Sequence, residues 1–177
     1  KYFLLGRDDL LRQVPNDANT VLEMGCGTAR NLIKLAQLRP NARLFGLDAS
    51  KAMLETAQAK IDSAGLSNRT TLRHALAEQL DHARLFGLDQ PFDVALFPYS
   101  LSMMPGWQAA LAAALRNVRP GGQVLIVDFW DQATWPGVIR KGLVWWLSLF
   151  SVAFRHEMLE HLRALEATGG VKLELSG

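Results

Sequence analysis

The chain has 177 residues, 49% hydrophobic and 20% charged, with a formal net charge of +2. That is enough chain for one domain with a buried core, and the balance excludes a disordered protein; the charge is too small to imply a nucleic-acid partner. The lone cysteine, Cys26, rules out an internal disulfide and favours a reducing compartment, so a cytoplasmic location is expected.

The start at Lys1 rather than Met reads as a longer protein trimmed at its ends, and nothing in the first residues resembles a signal peptide. We read one domain over 1–177: an N-terminal helix or lid over 1–18, a core sheet over 19–130, and C-terminal helices with a final strand over 131–177. TVLEM (20–24) is a buried strand closed by Gly25. Arg30 to Leu38 has helical spacing and stops at Pro40. ARLFGLD (42–48) is the second strand, and Ser50 caps a helix to about Ala64, ended by Gly65. TTLRHA (70–75) and PFDVALF (91–97) are the third and fourth strands. Trp107, Ala110, Leu111, Ala114, Leu115 and Val118 form one helical face. Gly121-Gly122 signals a turn, and QVLIVDF (123–129) is the fifth strand. A long helical region spans about 138–167, with a break near Ser151, and VKLEL (171–175) is a last strand. The partner of that strand is expected to be truncated.

Strands alternating with helices imply an α/β, doubly wound, mostly parallel sheet with helices on both faces. Ligands bind such sheets at the carboxyl ends of the strands, where strand order reverses. That rule gathers Gly25, Asp48, Ala75–Glu78, Phe97–Ser102 and Asp128–Trp130 around one crevice.

TVLEMGCGTARN (20–31) carries the chemistry. Gly25 and Gly27 allow a sharp turn and close approach of a ligand to the backbone. Asp48, ending the second strand, can accept from both hydroxyls of a ribose, so the pair points to an adenosine-containing cofactor. A dinucleotide turn needs a third glycine where Arg30 stands. What remains is E-x-G-x-G-x-A, Glu23 to Ala29. It resembles motif I of the class I S-adenosylmethionine methyltransferases, with Ala29 where that family most often has glycine. The acid at Glu23 suits a cofactor bearing a sulfonium and an ammonium and would repel a diphosphate.

GLDASKAML (46–54) and HALAEQL (74–80) extend the resemblance. It implies that Ala49 and Met53 flank the adenine and that Ala77, beside Glu78, lends it a backbone N–H. Many relatives have an aspartate at Leu76. S-adenosylhomocysteine is the implied product. YFLLGRD (2–8), YSLSMMP (99–105) and IVDFW (126–130) are similar to the N-methyltransferases of betaine-lipid synthesis. That implies an acceptor amine on a lipid or small molecule. Tyr99, also next to the cofactor, and Asp128 are the candidate catalytic groups, one orienting the amine and the other holding its cation. Ser100, Ser102, Met103 and Trp130 are the candidate acceptor contacts, Trp130 through cation–π attraction.

The rival readings are a carbon or oxygen acceptor such as a quinone precursor, a dinucleotide-binding oxidoreductase, and a S-adenosylmethionine-binding module without catalysis. LVWWLSLFSVAF (143–154), flanked by Arg140, Lys141 and Arg155, is too short to cross a bilayer. It is expected either in the core or lying peripherally on the inner membrane. Cys26, inside the cofactor stretch, is read as filling the helix–sheet junction rather than as a nucleophile. The histidines show no metal-ligand spacing, so no metal is expected.

Overall fold

The computed structural model describes residues 5–128 and 157–174. The chain divides into two compact units, Lys1–Asp128 and Phe129–Gly177.

The first unit is built on five strands: β1 (Thr20–Met24), β2 (Arg43–Asp48), β3 (Thr70–His74), β4 (Phe92–Pro98) and β5 (Val118–Val127). All pair in parallel, in the order β3-β2-β1-β4-β5. The apolar runs become inner strands because β1 is covered on both sides by neighbours, and four of its five residues are buried. Helices α1 (Leu5–Gln13), α2 (Arg30–Leu38), α3 (Lys51–Ser63), α4 (His82–Phe86) and α5 (Trp107–Arg116) flank the sheet. Order runs outward from β1 in both directions. Right-handed crossovers therefore put α2 and α3 on one face and α5 on the other. The core under α2 and α3 joins Val21, Leu44 and Val94 of the sheet to Leu32, Leu35, Leu54 and Ile61. Phe45, Phe86 and Phe92 meet edge to face, with centroids 5.3–5.6 Å apart.

The doubly wound parallel sheet is as expected, but four local readings change. First, β5 begins at Val118 rather than 123. Phe92 pairs with Val118 and Val94 with Gln123, so 119–122 bulge out of the ladder. The turn signal is real, with Gly121 at φ +75°, but it interrupts a strand instead of preceding one. Second, Val118 therefore leaves the face of α5, which ends at Arg116. Asn117 there turns its amide to the carbonyls of Leu80 and Ala113. Third, α4 had no expected counterpart. It is a short helix capped by the Asp81 carboxylate on the Arg84 N–H (2.8 Å) and ended by Gly87 at φ +64°.

Fourth, in the second unit, α6 (Glu157–Ala167) ends before Gly169 as expected, but 171–174 are not a strand. No strand pairs with them among the described residues. The Leu173 N–H instead reaches the Glu166 carboxylate (2.9 Å). No helix of the described residues is long and apolar enough to cross a membrane. Segment 143–154, Trp130 and the expected helix from 138 to 156 lie outside the described residues.

Candidate cofactor-binding site

Strand order reverses between β1 and β4, and the chain leaves β1 through Gly25-Cys26-Gly27. Both glycines have positive φ, +75° and +51°. A Cβ on Gly25 would lie 2.9 Å from Ser100 Cβ, whereas one on Gly27 would meet nothing within 4 Å. Gly25 therefore serves packing, and Gly27 leaves an open approach to the backbone.

The turn is fastened to the end of β2. The Gly25 and Cys26 N–H groups donate to the Leu47 carbonyl (2.8 and 3.0 Å). The Gly27 N–H donates to Asp48 Oδ2 (2.7 Å) and the Ser50 N–H to Oδ1 (2.8 Å). Asp48 is half-buried, and each oxygen keeps a lone pair for a further donor, as a ribose hydroxyl requires.

Ala29 is fully buried with φ 59°, its N–H on the Cys26 carbonyl (2.9 Å). Left-handed backbone costs an alanine about 1–2 kcal/mol. The position thus demands the conformation glycine gives freely, and this chain carries the strain. Gly46 is where close packing is needed instead: a Cβ there would fall 2.6 Å from Leu72 Cδ2, 2.8 Å from Cys26 Sγ and 3.0 Å from Leu32 Cδ1 of α2. Cys26 is buried, and burial, reinforced by the charges of Glu23 and Asp48, pushes its thiol well above the ordinary range. It packs the junction as expected and is not a thiolate at neutral pH.

Glu23 is 1% exposed. It shares a strand face with Val21 and accepts from Asn31 Nδ2 of α2 at Oε1 (2.6 Å), while Oε2 has no hydrogen-bond partner among the described residues. Burial raises its carboxyl to about 8; the Asn31 bond and the Arg7 charge oppose the rise, and the Asp48 charge adds to it. An unsatisfied buried acceptor of this kind costs about 1–3 kcal/mol, more when charged, and a cationic donor would relieve it.

The expected adenine side lies on the loops after β2 and β3. His74 Nε2 lies 3.0 Å from the Ala49 carbonyl, and the Ala75 N–H donates to the Asp48 carbonyl (3.2 Å). Met53 and Leu76 are exposed, 47% and 48%, so Met53 is not a core residue. Ala77 is buried in a 3-10 turn, Glu78 is exposed, and Ala49 is exposed.

On the expected acceptor side, Tyr99 takes a left-handed φ of 59°, with its N–H on the Val127 carbonyl (2.6 Å). Such strain in a non-glycine residue clusters at functional sites. The Ser100 hydroxyl is buried and donates to the Met24 carbonyl (2.7 Å), pinning the β4 loop to β1. Asp128 accepts from both the N–H and the hydroxyl of Ser102 (2.7 and 2.5 Å), and Ser102 is 1% exposed. Both serine hydroxyls thus spend their donor within the protein. Met103 is exposed at 52%.

Sequence reasoning missed two residues. Asn31 was hidden among the polar residues of α2. Arg7, in the oddly charged opening stretch, lies with its guanidinium 5.1 Å from the Tyr99 ring centroid, and its Nε is buried without a partner among the described residues.

The sequence matches the methyltransferase domain family over residues 21–122. Demethylmenaquinone methyltransferase of Listeria welshimeri is 31% identical over 139 residues, 78% of this chain and 52% of the relative. The chain spans about half the length of the curated relatives it matches. The apo S-adenosylmethionine-dependent methyltransferase SibL is 30% identical, covering 86% of this chain and 43% of that one, with a TM-score of 0.63. The amino pentose methyltransferase CalS10 of Micromonospora echinaspora, solved with S-adenosylmethionine bound, shares the fold: 23% identity, 75% of this chain and 53% of that one, TM-score 0.58. The chain belongs to the methyltransferase domain family and has its Rossmann-like sheet.

Proposed function

We propose that this family membership is exercised as methyl transfer from S-adenosylmethionine to a small apolar acceptor, of which a quinone-type ring is the preferred class. The observation that carries the cofactor is the turn itself. Gly27 leaves the backbone open, Asp48 is braced by two backbone N–H groups, and Glu23 buries an unsatisfied acceptor beside it.

When bound, S-adenosylmethionine supplies an electrophilic methyl group on a sulfonium that already leaves readily, so alignment is the protein's main contribution. Asp48 would hold the ribose, Glu23 the ammonium, and Met53 and Leu76 the adenine faces. Arg30, exposed at the start of α2, stands where a dinucleotide site needs glycine. Asp128 is committed to Ser102, which suits a residue that positions the β4 loop. Tyr99 at the strand end would orient the acceptor through its hydroxyl.

The preferred acceptor class is supported by the name of the relatives and by the acceptor edge. There the serine hydroxyls turn inward and Met103 turns outward. The amine acceptor suggested by YFLLGRD and YSLSMMP is the second reading, carried by those segments alone. Incubation with labelled S-adenosylmethionine and either demethylmenaquinone or diacylglycerylhomoserine separates them. Label in the quinone supports the first reading. Label in the amino lipid alone replaces it with the second.

A further inference from the structure

Helix α1 packs against β5 on one side and α2 on the other. On one side the backbone at Gly6 approaches β5 so closely that a Cβ would lie 2.7 Å from Val127 Cγ2 and 3.4 Å from the Tyr99 hydroxyl. On the other side Asp8 pairs with Lys34 of α2 (2.5 Å). Leu10, Leu11 and Val14 bury the far end of this N-terminal segment. Arg7 sits between these anchors, stacked over Tyr99, and its charge is felt by Glu23.

Two polar atoms of this crevice are buried without a partner among the described residues, and they are opposite in sense. Glu23 Oε2 accepts once its proton is released, and Arg7 Nε donates. No ion pair joins them among the described residues, so they do not satisfy each other. A ligand that satisfied both would present a cationic donor to Glu23 and an anionic acceptor to Arg7. The ammonium and carboxylate of a free α-amino acid group have that pairing. An Arg Nε–H with its neighbouring terminal N–H forms a fork that matches a carboxylate.

We infer that α1 is a strap over the cofactor crevice and that Arg7 is the carboxylate-binding residue for the amino-acid end of the cofactor, opposite Glu23. This rests on the cofactor reading above. It adds a binding group that lies outside the strand-end motifs, on the segment before the first strand. Binding would then fasten the strap as well as fill the turn.

Titration calorimetry with two ligands tests the assignment. One is S-adenosylhomocysteine. The other is its decarboxylated analogue, which keeps the amine and loses the carboxylate. The wild-type chain should bind the first about 10–100-fold more tightly, the usual range for one charge-assisted contact. Arg7→Gln should bring that ratio close to one by weakening S-adenosylhomocysteine alone. Arg7→Lys should keep part of it, and the thermal midpoints without ligand should show that both variants fold. If Arg7→Gln weakens both ligands equally, or leaves the ratio intact, Arg7 does not bind the carboxylate and the assignment is overturned. If the wild-type chain binds neither ligand, the cofactor reading itself falls and takes the assignment with it.

Discussion

Glu23→Gln replaces the one fully buried acid in β1 with a side chain of the same shape that does not titrate. The carboxyl is raised from 4.5 to about 8, chiefly by burial. At about 1.4 kcal/mol per pH decade, holding the ionised form in the fold costs about 5 kcal/mol. The direction follows from linkage. The folded state holds this proton more tightly than the unfolded chain does. Its stabilising contribution is therefore complete below pH 4.5 and is lost as pH rises through about 8. Glutamine does not titrate. Relative to the wild type, Glu23→Gln should gain about 3 kcal/mol between pH 4 and 7 and about 5 kcal/mol by pH 9. A pH-independent offset of about 1–3 kcal/mol is expected from placing an amide N–H₂ where Oε2 lies unpartnered. Urea unfolding of both proteins at pH 5, 7 and 9, without cofactor, reads the difference. Parallel pH profiles for the two proteins would refute the buried, proton-holding Glu23.

Other residues of the fold give separate tests. Gly27→Ala should fold with a loss of about 1–2 kcal/mol for its left-handed backbone yet bind S-adenosylhomocysteine poorly, since the new methyl projects into open space beside the turn. Gly25→Ala adds a clash with Ser100 and should lose clearly more in a thermal melt. Asp93 faces burial that would raise its carboxyl, but bonds from Arg119, Thr20 and Asn19 outweigh this and hold it below the ordinary value. Its contribution is present above about pH 4 and lost as pH falls through the lowered value, so Asp93→Asn should unfold less steeply with acid than the wild type. If the cofactor's ammonium pairs with Glu23, binding at pH 7 should release up to about 0.9 proton. Calorimetry in phosphate and Tris buffers would reveal that as a heat difference, and equal heats would place the ammonium elsewhere.

Much of the fold was legible because its signals are local and periodic. β1 and α2 fall where apolar spacing, Gly25 and Pro40 put them, and Asp48 ends β2 on the site. The departures arise where tertiary contacts outweigh local signals. The Gly-Gly after Pro120 reads as a turn from its φ preferences, but pairing of β5 with β4 on both sides of it makes it a bulge. Ser100 and Ser102 look like acceptor groups in sequence, yet their hydroxyls reach Met24 and Asp128, contacts that only the sheet creates. Arg7 could not be placed at the crevice from its own surroundings. It arrives there because α1 packs against β5 and α2. Ala29 was visible as a substitution, but its cost was not, since φ is set by how the turn hangs from Leu47 and Asp48.

The central claim is that the crevice between β1 and β4 holds S-adenosylmethionine, with Asp48 as its anchor. The most direct measurement is the thermal midpoint with S-adenosylmethionine or S-adenosylhomocysteine, compared with NAD. At 100 times the dissociation constant a specific ligand adds about 2.7 kcal/mol of stability. The account predicts that rise with either sulfur ligand, none with NAD, and loss of most of it in Asp48→Ala. A rise with NAD alone, or one that Asp48→Ala leaves untouched, would contradict it.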